Sequence, residues 1–169
     1  MWQRRTFHEC ASELRQISDQ FRAAYVNTRG WDGATRDHML QDTSTRGVEI
    51  LRILALSVRS DQDYGLTDGH SDTVGAVRAD VVAVEASSVI QTYRPPYSAL
   101  PGFNPLRLRQ ALNKIAHANP SRCGFFADES IHDLILTGAD RGSSWLAVVS
   151  ISELCSVIES LPDAAIAHH

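Results

Sequence analysis

The sequence predicts an α+β fold that is mostly helical: a bundle of four helices, then an antiparallel β-hairpin and a closing helix. Three observations carry this. Apolar residues recur at helical spacing along much of the first 119 residues. Two capping boxes, Thr6-Phe-His-Glu9 and Ser150-Ile-Ser-Glu153, mark helix starts near the two ends. Between residues 123 and 151 the pattern changes to short apolar runs around the turn-forming Gly138-Ala-Asp-Arg-Gly142. The 169 residues read as one domain with room for a continuous core. The bundle occupies 1–119, the hairpin and helix 120–162, and a tail 163–169 that ends in His168-His169.

The first helix follows Thr6, with Phe7, Cys10, Ala11, Leu14, Ile17, Phe21, Ala24 and Tyr25 on one face, and Gly30 ends it. The second starts between Asp32 and Thr45 and runs as one long helix to about Arg59, with Leu40, Thr43, Gly47, Ile50, Leu51, Leu54 and Val58 in phase. Residues 60–73 read as a polar loop. Its Asp61-x-Asp63 start matches part of a calcium loop, but glycine falls at the fifth place and aspartate at the twelfth, so a solvated loop is expected. A third helix is expected over 73–93, because the length and the phase of Val77, Val81, Val84 and Ser88 outweigh the strand preference of its valines. The proline-rich stretch 94–104 is a connector. Asn104-Pro105 reads as N-cap and first position of the fourth helix, which ends at Asn119-Pro120. Strands are expected over 123–127, 131–137 and 145–151, and Ile151, Leu154, Cys155, Ile158 and Leu161 face the core from the last helix, which Pro162 stops.

Composition narrows the function classes. With 43% hydrophobic and 21% charged residues the chain reads as an ordinary soluble globular protein. A net charge of −4 gives no global field for nucleic acid, so such a contact would need a local patch. No run is long enough for a membrane span, and no apolar stretch follows the basic N-terminus as a secretory signal requires. Cys10, Cys123 and Cys155 are odd in number and far apart, which predicts reduced thiols and a cytoplasmic protein. No cofactor fingerprint or metal-ligand spacing is present, so neither a cofactor nor a metal is expected. His132, Asp128 and His117 could form a metal site only if the fold brought them together; on a strand, His132 shares a face with Leu134 and Leu136 while Asp133 faces the other way.

One helix concentrates chemistry-bearing groups. Arg109, Asn113 and His117 are four residues apart and form a single stripe beside Leu108, Ala111, Leu112 and Ile115. Arg107, Lys114 and Arg122 add positive charge nearby. A guanidinium and an imidazole on one face suit a phosphodiester, the first neutralising charge and the second acting as general acid or base, with Asn113 orienting either partner. The same residues also suit a structural edge, with Arg109 paired to a carboxylate and His117 favoured by the helix C-terminus.

A helical core carrying Arg109, Gln110 and His117 on a late helix resembles the HEPN superfamily, whose metal-independent bacterial ribonucleases carry an arginine, commonly a polar residue right after it, and a histidine separated from the arginine by four to six residues. Seven residues stand between Arg109 and His117 in this chain. The resemblance implies a ribonuclease or nucleotide-handling enzyme with Arg109, Asn113 and His117 at its centre, built around two stripes in a homodimer, with nucleic acid as its partner.

The absence of a complete catalytic motif, the acidic charge, and the aromatic residues Tyr93, Tyr97 and Phe103 in or beside the connector favour a different first expectation. This is a non-enzymatic bacterial binding or regulatory protein of a defence, immunity or antitoxin-like kind, acting through a protein partner. The alternative for the aromatics is that they fold back and cap the core.

Overall fold

The structure is a computed structural model and describes residues 6–63 and 72–162. The loop expected over 60–73 falls largely outside the described residues, as does the tail from 163; Asp61 and Asp63 belong to a helix.

The Thr6 capping box forms in full, while at Ser150 only the serine half forms, because the Glu153 carboxylate accepts from Tyr97 instead of reaching back. Thr6 Oγ1 accepts from the Glu9 backbone N–H and the Thr6 N–H donates to Glu9 Oε2, both at 3.1 Å, opening α1 (Phe7–Asn27). Asp32 accepts from the Thr35 N–H at 3.0 Å, and α2 (Gly33–Asp63) follows as one long helix. Near the C-terminal end β3 (Gly124–Ala127), β4 (His132–Asp140) and β5 (Ser143–Ser150) pair antiparallel. Arg141 and Gly142, at φ 50° and 80°, make the tight turn between β4 and β5, a left-handed pair whose twist matches a two-residue hairpin. Ser150 then accepts from the Glu153 N–H and opens α5 (Ile151–Ser160).

The middle of the chain corrects the helical-bundle expectation. Residues 73–93 are not one helix but β1 (Thr73–Ala79) and α3 (Ala83–Thr92), separated by Asp80 in the left-handed region at φ 56°. The predicted start of the fourth helix at Asn104 is instead β2 (Asn104–Arg107), and α4 (Leu108–His117) begins after it. The result is a mixed α/β fold in which five α-helices among the described residues interleave with a five-stranded antiparallel sheet of order β2-β1-β5-β4-β3. The segment 1–119, expected to form the helical bundle, therefore supplies two of the five strands.

Pairing explains why β1 is a strand. It lies between β5 and β2, so both of its backbone edges are bonded. At Gly75 the chains approach so closely that a Cβ would stand 1.9 Å from the Val148 carbonyl oxygen. The edge strands β2 and β3 are four residues each, short enough to offer little template for further pairing.

Alternation along the strands divides the core. On β5, Trp145, Ala147 and Val149 face a layer formed by α1, α2, α4 and α5, where Phe7, Leu14, Leu54, Leu112 and Ile158 are buried. Leu146 and Val148 face the other side, with Ile135, Val81 and Tyr93, and are covered by α3 and the 93–103 connector. Between the sheet and the main helical layer, at the β3–β4 end, lies the cavity that forms the candidate site.

Candidate functional site

Where α1, α2 and the end of α4 meet β3 and β4, packing is incomplete. Ser18, Gly47 and Ala118 stand where larger side chains would close the layer, and a cavity of about 300 Å³ remains. Its walls are apolar: Leu14, Ile17 and Phe21 from α1, Leu51 from α2, Ile115 from α4, and Leu134 and Leu136 from β4.

One polar pair lies in that wall. Ser18 Oγ and His132 Nδ1 share a hydrogen bond of 2.9 Å. The Phe21 ring stacks on the imidazole at 4.9 Å and 6°, and the Phe125 ring meets it edge-on. Burial pushes the His132 pKa down to about 4, and the nearby Arg22 charge acts in the same direction, so the ring is uncharged at neutral pH. His132, Leu134 and Leu136 share one face of β4 as alternation requires and all three line the cavity. Asp133 points to the opposite face, where Tyr93 Oη donates to its Oδ2 at 2.6 Å. Burial raises the Asp133 pKa and also the Tyr93 pKa, where the Asp133 contact adds to the effect.

A serine bonded to a neutral imidazole is the start of a nucleophilic pair. Among the described residues the rest of such a machine is not assembled around it. The neighbouring carboxylate, Asp133, is committed to the other side of the sheet. Ser18 sits in the interior of α1, where the backbone N–H groups are taken up by the helix ladder and cannot receive an oxyanion. What the arrangement does supply is an apolar container with one neutral donor–acceptor pair, the composition of a small-molecule site.

The residues singled out on the fourth helix are distributed differently. Arg109 and Asn113 are half-buried on α4 and His117 is exposed at its end. Arg109 and His117 lie eight residues, about 12 Å, apart along the axis. His117 lines a cleft of about 570 Å³ on the α3 side together with Arg122, Ser87, Gln91 and Ser144, and neither Arg109 nor Asn113 lines that cleft or the cavity. Lys114 places its ammonium 4.3 Å above the Trp145 ring. Arg107 is exposed beside the first turn. Tyr93 is buried, and Tyr97 and Phe103 are half-buried against the second core, so all three cap the sheet. Tyr97 also donates to the Glu153 carboxylate. Asp128 accepts from the Ser130 and Ile131 N–H groups in the β3–β4 turn, contacts that hold its carboxyl below the ordinary range.

Among the described residues no group of three histidine, cysteine or carboxylate side chains is placed to hold a metal ion, and no helix is long and apolar enough to cross a membrane. No family model, no curated protein and no solved structure matches the chain.

The sequence reading missed Ser18 as a site residue. It lies next to Ile17 on an otherwise apolar face, and a single hydroxyl there was the available signal. Its partner is 114 residues away, so nothing local pairs them.

Proposed function

We propose that this protein is a non-enzymatic binding protein whose ligand is a small, largely apolar molecule held between α1, α2, α4 and the β3–β4 edge. The observation that carries this reading is the cavity itself. It is open at one side, is lined mainly by apolar side chains, and at about 300 Å³ stands at the lower end of the range of ligand pockets. The Ser18–His132 pair gives such a ligand one fixed hydrogen-bonding point without introducing charge.

The test is a cavity-filling variant. Gly47 lines the cavity, and a Cβ there would lie 3.5 Å from Ile17 Cγ2, so a larger side chain fits the backbone and takes up the free space. Wild-type protein should gain melting temperature with a panel of small apolar compounds, and Gly47→Leu should not. Equal responses from both would count against the cavity as the site.

Action through a protein partner is a second reading, favoured by one observation. Ile53 and Leu56 on α2 are 39% and 62% exposed and lie one turn apart, although α2 buries its opposite face. Light scattering on the purified chain, followed by the same measurement on Leu56→Lys, tests whether this surface joins two copies.

A further inference from the structure

We infer that the ligand is an anionic amphiphile, with its apolar body in the cavity and its anionic group outward against Arg52. This rests on the cavity being a ligand site, as proposed above, and adds the chemical class and the orientation of what enters it.

The lining residues divide by exposure. Those deep in the wall are buried or half-buried; Ser44, Val48, Arg52, Pro120 and Phe125 are exposed. The first three are four residues apart on α2 and so form one stripe, and Pro120 and Phe125 come from the segment around β3. These five residues are the mouth.

Charge at the mouth has one sign. Among the described residues that line the cavity, Arg52 is the one arginine or lysine, and none is an aspartate or glutamate. Among the described residues the Arg52 side chain has no hydrogen bond or ion pair, so its donors are available to a ligand, and the Ser44 hydroxyl stands two turns away on the same stripe. At the inner wall the position is reversed. His132 is uncharged and packed between aromatic rings, so an anion placed there would be desolvated without a countercharge. A neutral polar atom of the ligand suits that end, and an anion suits the mouth. The volume admits on the order of ten groups of water size at about 30 Å³ each, which is the scale of a medium-chain carboxylate.

Calorimetric titration of the full chain with octanoate, octan-1-ol and octylammonium separates the possibilities. The three share a tail and differ in the charge of the head. The expected result is that octanoate binds about two- to fivefold tighter than octan-1-ol, the scale of an exposed ion pair. Octylammonium should be weakest, and Arg52→Gln should bring octanoate to the level of the alcohol. Octan-1-ol binding as well as octanoate would overturn the anionic class while leaving the cavity as a site. A preference for octanoate that survives in Arg52→Gln would overturn the orientation at the mouth. Failure of all three compounds to bind at millimolar concentration would overturn the cavity reading and this inference with it.

Discussion

Acidification should expose His132 as a proton-linked weak point of the fold. In the folded chain the imidazole pKa is about 4 against an ordinary value of 6.5. Between those values the unfolded chain binds a proton that the folded chain excludes, so stability falls as pH falls. The contribution is fully present above about pH 6.5 and is lost as pH drops towards 4. At about 1.4 kcal/mol per pH unit, this difference amounts to about 3 kcal/mol. Other groups titrate too: Asp128 and Asp32, whose carboxyls are held low by hydrogen bonds, act in the same direction at lower pH, and Asp133, raised by burial, acts in the opposite one. A His132→Phe variant isolates the histidine. The new ring can keep the stack on Phe21, and the Ser18 hydroxyl can turn to the carbonyl of its own helix one turn back. Urea unfolding of both proteins from pH 7 to pH 4 should show the wild type losing about 3 kcal/mol more than the variant, most steeply near the middle of that interval. Parallel stability curves would refute the assignment of His132 as a neutral imidazole packed against the cavity wall.

Two glycine substitutions should differ in sign. Gly47→Ala adds a methyl at ordinary contact distance from Ile17 and removes a helix-interior glycine, for a gain of about 0.5–1 kcal/mol in urea melts; Gly75→Ala drives a Cβ into the Val148 carbonyl and should prevent recovery of folded protein on the same preparation. Tyr93→Phe keeps the ring but takes the donor from buried Asp133, costing about 1–3 kcal/mol at neutral pH. That deficit should shrink on acidification, since a protonated Asp133 no longer needs the donor, and a deficit independent of pH would contradict Tyr93 as the group that stabilises the Asp133 carboxylate. His117→Ala, at an exposed helix end, should change stability by less than about 0.5 kcal/mol by thermal or urea unfolding.

Elements with their own end signals were legible in the sequence. The Thr6 box, the Ser150 cap, the Gly142 turn and Pro162 are local chemistry, and α1, α5 and the β3–β5 meander follow from them. The long α2 was legible for a related reason: one apolar phase held over about five turns outweighs a single glycine. The His132 face of β4 was also legible, because alternation along a strand needs no partner to define it.

Tertiary structure alone decided β1 and β2. The valines of residues 73–89 fit a helix face and a strand equally well, and the choice was made by hydrogen bonds from a strand more than 70 residues away, Gly75 opposite Val149. Asn104 and Pro105 offered a good helix start, but β1 had an open edge for them to fill. The cavity was beyond the sequence for a different physical reason. A void is a property of how far layers diverge, not of any residue in it, so Ser18, Gly47, Arg52 and His132 acquired their common meaning only when α1, α2 and β4 were packed together.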